Sequence, residues 1–163
     1  MVLTMDQVDR ILAQWRTARP DLDVTPMAVI GRLSRAAAIV DTQLALTFAA
    51  HGIDAGTFDV LATLFRQGPP YQVTPAELAA DSMITTSAVA QRLNRLERLG
   101  LVVREPNPAD GRGKIVRLTS AGRQLLDEVL PDHLFTEEAL LAPLSMDDRN
   151  TLARLLAKLT EEH

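Results

Sequence analysis

Hydroxyl, amide and guanidinium side chains recur between residues 86 and 98 of this 163-residue chain, beside an apolar stripe. Val89, Leu93 and Leu96 follow at spacings of four and three, which places them on one face of a helix running to about Leu99. The opposite face, with Thr86 at its start, then carries Ser87, Gln91, Asn94, Arg95 and Arg98. Such groups can hydrogen-bond to base edges and phosphates, so the pattern predicts a helix that contacts a DNA groove.

A second basic cluster lies between two runs rich in β-branched residues, 101–105 and 114–118. The stretch between them, 106–113, contains prolines and glycines, which predicts the loop of a hairpin. Arg112 stands between two glycines and Lys114 follows, so we expect a mobile, exposed tip suited to a minor groove or a phosphate ridge. The alternative is an ordinary solvated hairpin with incidental charge.

The elements that must hold these side chains have their own signals. Thr74-Pro75-Ala76-Glu77 combines a capping hydroxyl, a first-turn proline and a capping-box glutamate, which predicts the start of a shorter helix. Gly100 is placed to end the polar-faced helix. Helix, turn, helix and basic hairpin in this order predict a winged helix-turn-helix over residues 74–117.

The distribution of charge supports a local DNA-binding surface on an acidic protein. The whole chain has a formal net charge of −4, which argues against a general nucleic-acid coat protein. Between Met83 and Arg117, seven basic residues face three acidic ones, so this segment carries +4 and the remainder −8. A basic patch on an acidic body is typical of a site-specific binder.

Amphipathic helices are predicted on both sides of this lobe, so the expected fold is mainly α with a small β-hairpin wing. We expect N-terminal helices in residues 1–52, the DNA-binding lobe in 53–118 and C-terminal helices in 119–163, together one domain overall. The residues predicted to begin the flanking helices are Thr25 with Pro26, Asp54, Thr119 and Ser145.

The terminal helices carry more apolar residues than a compact lobe would cover, including Val8, Ile11, Leu12 and Trp15 in the first helix. We expect a second copy of the chain to cover them, giving a homodimer with a dimerisation region built from both ends. A two-fold dimer matches a palindromic DNA operator. The alternative is that these helices fold back on their own lobe.

Several other classes of protein are disfavoured. The chain has no cysteine, which excludes disulfides, thiolate metal sites and cysteine-based peroxide sensing. A secretory signal and a membrane-spanning run are not recognisable, so we expect a cytoplasmic protein with no membrane partner. None of the three histidines has partners spaced for catalysis, and His133 with Asp132 and Glu137 is a weak metal candidate on what we interpret as a solvated helix face. We expect no enzyme activity, cofactor or metal.

The order of the helices resembles the MarR family of bacterial winged-helix regulators, from about Gly31 to Leu159. The likeness is carried by the wing loop 110–114, the Leu-Thr-Ser-Ala-Gly run at 118–122, and the Arg-Leu-Glu-Arg-Leu-Gly-Leu ending at 95–101. The resemblance implies a homodimer that usually represses genes and releases DNA when a small, frequently phenolic or anionic, molecule binds.

The first helix and the following stretch 15–23 resemble the branch of that family that responds to urate and related metabolites. This narrower resemblance implies that Trp15, Asp59 and Arg92 surround the ligand, and that Arg104 in the wing strand relays its effect. A planar anion could stack on the indole and pair with the guanidinium of Arg92, and its charge would repel Asp59.

Each of these four residues also has a simpler interpretation. Trp15 can fill a core or an interface, and Asp59 can favour the positive end of its helix or pair with Arg66. Arg92 can be a phosphate contact, and Arg104 can decorate the strand edge. An alternative for the whole protein is a ligand-independent winged-helix module for DNA architecture or protein contacts.

Overall fold

The computed structural model describes residues 5–83, 85–108 and 110–161, and for residues 86 and 110–112 it describes the backbone alone. Within these ranges the chain forms seven helices and three short strands, in the order α1 Gln7–Ala18, α2 Pro26–Ala50, α3 Ala55–Arg66, β1 Gln72–Val73, α4 Pro75–Asp81, α5 Thr86–Arg98, β2 Val102–Asn107, β3 Asp110–Leu118, α6 Ser120–Leu141 and α7 Met146–Glu161. The predicted fold class, mainly α with a small winged sheet, is confirmed.

Helix starts follow the capping residues that the sequence predicts. Thr74 and Glu77 form a complete capping box, with the Thr74 amide 2.8 Å from the Glu77 carboxylate. Asp54 accepts a hydrogen bond from the Thr57 amide at 2.8 Å, and Thr119 accepts one from the Gly122 amide at 3.0 Å. Side-chain acceptors at these positions satisfy amides that the first turn of a helix leaves free.

The chain divides into two compact units, with the boundary between Gln43 and Leu44. In the first unit, a small apolar cluster of Val8, Leu12 and Val24 is buried. An ion pair reinforces it, because the guanidinium of Arg32 binds Asp6 and Asp9 at 2.9 and 2.8 Å.

The second unit contains the main hydrophobic core. Its buried residues come from α3, α4, α5, the sheet and α6: Val60, Leu61, Leu64, Leu78, Val89, Leu93, Leu96, Val102, Val116, Leu118 and Leu126. The apolar stripe predicted for the polar-faced helix, Val89, Leu93 and Leu96, is therefore confirmed as its buried face. Burial of this stripe fixes which side of α5 points outward.

The sheet is antiparallel in the order β1-β3-β2. The predicted eight-residue wing loop is wrong, because β2 runs to Asn107 and β3 begins at Asp110, and these two residues pair. The register shifts between Pro106 and Asn107, since Pro106 pairs with Lys114 whereas Asn107 pairs with Asp110. Residues 111–113 are therefore an insertion in β3 relative to β2. Proline donates no ladder hydrogen bond, which suits such an irregularity.

Strand β1 was not predicted from the sequence. It has only two residues, Gln72 and Val73, which pair with Arg117 and Val116 of β3. A strand of this length gives no readable alternation of polar and apolar residues, so only pairing with β3 defines it.

Within the described part of the chain, no single helix is both long and apolar enough to cross a bilayer. The bent pair α2 and α3 meets those criteria when taken together, by length and composition only.

Candidate nucleic-acid interface

Helix α5, here called the recognition helix, presents the predicted polar side chains on its outer side. Its N-cap is Thr85, whose hydroxyl lies 3.4 Å from the Ala88 amide and 3.3 Å from the hydroxyl of Ser87. The exposed side chains of this face are Ser87, Gln91, Asn94, Arg95 and Arg98. The side chains of Thr86 and Arg112 lie outside what the structure describes, so both stay predictions as DNA contacts.

Asp59 of α3 fixes the turn that precedes the recognition helix. Its carboxylate accepts a hydrogen bond of 2.8 Å from the backbone amide of Met83. Arg66, the alternative partner considered for Asp59, instead donates to the Thr63 hydroxyl at 3.0 Å and to the Asp81 carbonyl at 3.1 Å. Asp59 therefore links α3 to the turn of the helix-turn-helix.

Arg104 joins the wing to the recognition helix. From strand β2, its Nε donates to Glu97 Oε2 at 3.0 Å and its Nη2 donates to Asn94 Oδ1 at 2.8 Å. The hydrogen bond from Arg104 lowers the pKa of Glu97 below its usual value, and the same bond raises the pKa of Arg104. Asn94, a predicted base contact, thus has its oxygen engaged and can still donate through its amide NH₂.

Lys114 and Arg98 add positive charge near this junction. Lys114 is exposed on β3, and its charge contributes to lowering the pKa of Glu97. Arg98 is exposed, and its Nε donates to the backbone carbonyl of Asn94 at 3.2 Å. At this edge two cations are exposed and the acid Glu97 is already paired with Arg104, so the local charge favours a polyanion as the partner.

Arg92 of the recognition helix binds the N-cap residue of α3. Its Nη1 donates to both carboxylate oxygens of Asp54, at 2.6 and 2.7 Å. Arg95 lies beside the same carboxylate, with Nη1 3.6 Å from Asp54 Oδ2. Partial burial raises the pKa of Asp54, but the hydrogen bonds from Arg92 and from the Thr57 amide outweigh it, so the net shift is downward.

Sequence reasoning missed this contact, although it identified each residue. Asp54 was predicted as a helix cap and Arg92 as a ligand or phosphate contact, and 38 positions separate them. Among the described residues no ion pair joins Arg92 to Asp59, which has the Met83 amide as its partner. The signal that could have pointed to the contact is Gly56, because a guanidinium can lie against a helix turn that lacks a Cβ.

Trp15 lies on α1 in the first unit and is 41% exposed. It is therefore neither fully buried core nor fully solvated. An indole in this state keeps part of its face available for stacking on a planar molecule or on another chain.

Two of the three histidines, His51 and His133, lie among the described residues and have acidic partners in the second unit. His51 lies 2.9 Å from Asp132, and His133 lies 3.2 Å from Glu137. The interpretation of His133 as part of a solvated face is wrong, because its side chain is 13% exposed and its ring packs on Phe48 and Phe58. Three or more possible metal ligands do not gather anywhere in the described residues.

Comparisons with known proteins agree with this geometry. Residues 51–113 match the MarR family. The HTH-type transcriptional regulator PecS of Dickeya dadantii is 40% identical over 157 residues, covering 96% of this chain and 94% of that protein. A mutant of MarR from Escherichia coli complexed with operator DNA has a TM-score of 0.73 and 27% identity, covering 84% of this chain and 95% of that one.

A structure concerned with ligand control is also similar. BpsR of Bordetella bronchiseptica, whose DNA binding is regulated by 6-hydroxynicotinic acid, has a TM-score of 0.74 and 26% identity. The match covers 81% of this chain and 92% of that chain.

Proposed function

This chain belongs to the MarR family of DNA-binding transcriptional regulators, and from that premise we propose that it is a homodimeric repressor released from a palindromic operator by a small planar anion. It is a DNA-binding regulator and not an enzyme. The observation that carries the proposal is the outward polar face of the recognition helix beside a basic wing.

The proposed DNA contacts divide by chemistry. The amides of Gln91 and Asn94 suit base edges in the major groove, and the hydroxyl groups at the helix start suit phosphates or bases. The guanidinium and ammonium groups suit phosphates and guanine. In full the proposed contacts are Thr86, Ser87, Gln91, Asn94, Arg95, Arg98, Arg112 and Lys114.

Exposed apolar side chains support the proposed homodimer. On α6, Phe135 is 76% exposed, and Leu134 beside it is exposed as well. No described residue of α7 is buried, although Leu152, Leu155 and Leu159 follow helical spacing along it. Apolar stripes of this extent are typical of protein–protein contacts, and a second copy supplies the two-fold symmetry that a palindromic operator requires.

As effector we propose a planar anion of the urate type, with Trp15, Asp59 and Arg92 as its ligand-binding residues and Arg104 as the relay. Two observations support it: the half-exposed indole, and the bridge of Arg104 to two residues of the recognition helix. The anion would take the place of the Asp54 carboxylate on Arg92. A relative whose DNA binding responds to 6-hydroxynicotinic acid, itself a planar acid, is consistent with this class of effector.

The test of the regulator begins with duplexes selected by the purified protein from a random-sequence pool. Footprinting should show two inverted half-sites about one helical turn apart, and light scattering should give the mass of two chains on one duplex. A single half-site bound by a monomer would contradict the homodimer.

The effector is tested on the same selected duplex. Trp15 is the only tryptophan, so its fluorescence should change on addition of urate, and urate should release the duplex. If urate and other planar acids change neither the Trp15 fluorescence nor the binding of the selected duplex, the proposed effector is contradicted and the proposed DNA contacts are not.

A further inference from the structure

The guanidinium of Arg92 lies against the first turn of α3, beside Gly56. A Cβ built on Gly56 would lie 2.1 Å from Arg92 Nε and 2.5 Å from its Cζ, so only glycine leaves this space. The N-terminus of a helix carries a positive partial charge and disfavours a nearby cation. The Nε is also buried without a hydrogen-bond partner among the described atoms.

Asp54 supplies the charge that holds Arg92 there. Its carboxylate accepts two hydrogen bonds from Arg92 and also attracts Arg95, which is three residues further along the same helix. Side chains three positions apart lie on one side of a helix. One carboxylate of α3 therefore restrains two cations of the recognition helix.

Whether a cation on a DNA-binding helix is free or restrained bears on sequence discrimination. Contacts to phosphates raise affinity for every sequence, whereas contacts to base edges discriminate. A free arginine on the recognition helix finds phosphates on any duplex. A cation held by an internal carboxylate contributes less to sequence-independent binding.

We propose that Asp54 is a specificity-determining residue: it withdraws Arg92 and restrains Arg95 from the phosphates of the duplex, and so weakens binding to unrelated sequences. The partner it competes with is the phosphodiester backbone of double-stranded DNA. The role rests on the family's DNA binding and not on repression, and it is tested in the absence of any effector.

The first variant is Asp54→Asn, because asparagine caps a helix as well as aspartate does but carries no charge. Binding to a random-sequence duplex is measured against salt concentration by fluorescence anisotropy. We expect the variant to bind this duplex roughly three to ten times more tightly at about 0.1 M salt. The plot of log affinity against log salt should steepen by about 0.9 for each additional phosphate that the variant neutralises.

Affinity for a duplex selected by the wild-type protein should rise less than affinity for the random-sequence duplex. The ratio of the two affinities should therefore fall in the variant. An unchanged ratio and an unchanged salt slope, in a variant that circular dichroism shows to be folded, would overturn the proposal.

The second variant, Gly56→Ala, also displaces Arg92 from its position beside α3, but it leaves the charge of Asp54 unchanged. Its Cβ would occupy the space of Arg92 Nε and expel that flexible side chain, while alanine favours the helix. We expect the same direction of change in the salt slope. If only Asp54→Asn steepens the slope, loss of a negative charge explains it, and the withdrawal of Arg92 is refuted.

Asp6→Asn is the matched control. Asp6 also caps a helix, with its carboxylate 2.9 Å from the Asp9 amide, and also binds an arginine, Arg32, at 2.9 Å. Neither partner belongs to the recognition helix, so the salt slope should stay at the wild-type value. A slope that steepens equally in this control would show a general effect of net charge and overturn the proposal.

Discussion

The recognition helix is held by charged contacts on two sides, and the two sides use its charges in opposite ways. Toward the wing, the helix supplies the acid: Glu97 receives Arg104 from β2. Toward α3, it supplies the bases: Arg92 and Arg95 meet Asp54. The wing contact covers an acid that would repel DNA, whereas the α3 contact covers cations that would attract it.

The two contacts therefore have opposite effects on the affinity of the recognition helix for DNA. Pairing Glu97 with a wing arginine makes the surface more favourable for a polyanion and fixes the wing against the helix. Pairing Arg92 with Asp54 makes the surface less favourable for a polyanion of arbitrary sequence. Loss of the partner that each side supplies should therefore act in opposite directions: loss of Arg104 should weaken DNA binding, whereas loss of the Asp54 charge should strengthen binding to arbitrary sequences.

The largest expected effect comes from Arg95→Ala, which removes the more exposed cation of the α3 side, 52% exposed in its side chain. We expect affinity for the selected duplex to fall about tenfold, because Arg95 leaves Asp54 to contact the operator there, whereas the salt slope on a random-sequence duplex should become shallower by less than about 0.9. Fluorescence anisotropy across a salt series measures both. Arg154→Ala on α7 changes the net charge by the same amount. An equal loss of affinity in that control would mean that Arg95 does not contact the DNA.

On the wing side, Arg104→Ala should weaken binding to the selected duplex about fivefold, near the upper end of what an exposed ion pair contributes. The loss has two causes, because the wing loosens and Glu97 faces the DNA without a cation. Arg117→Ala is the matched variant, since Arg117 pairs with Glu105 inside the sheet at 2.7 Å. Equal losses in both would mean that wing rigidity, and not Glu97, is what matters.

A smaller effect concerns stability on the α3 side. Asp54→Ala removes the cap of α3 as well as the charge and should cost about 1 kcal/mol, or about 2–4 °C in Tm for a chain of this size. Asp54→Asn keeps the cap and should shift Tm much less. Thermal unfolding followed by circular dichroism gives the Tm of both variants. An equal decrease in Tm would mean that the ion pair, and not the helix cap, provides the stabilisation.

The smallest effect is the response to acid. The pKa of Glu97 and that of Asp54 are both lowered in the folded chain, so each ionised carboxylate stabilises the fold above its ordinary pKa. That contribution is fully present above the ordinary carboxyl pKa values of about 4, and it is lost as the pH falls through the lowered pKa of each group. Tm measured from pH 7 to pH 3 should fall less steeply in Glu97→Gln and Asp54→Asn than in the wild type. Parallel curves would mean that neither pair affects stability.

The local elements could be predicted because their signals lie within a few residues of one another. Capping at Thr74 and Asp54, the stripe of Val89, Leu93 and Leu96, and the end at Gly100 each depend on one or two turns of chain. The wing strands were found but placed too short, because pairing between Asn107 and Asp110 depends on the opposite strand as well as on residue type.

The amino-acid sequence by itself determined which segments become helices, which helix has a polar outer face, and hence that the chain reads DNA. Only the tertiary structure decided which acid each arginine meets, since Arg92 and Asp54 lie on different helices whose packing brings them to 2.6 Å. A guanidinium can reach several carboxylates from one backbone position. Core packing, which no spacing encodes, selects among them.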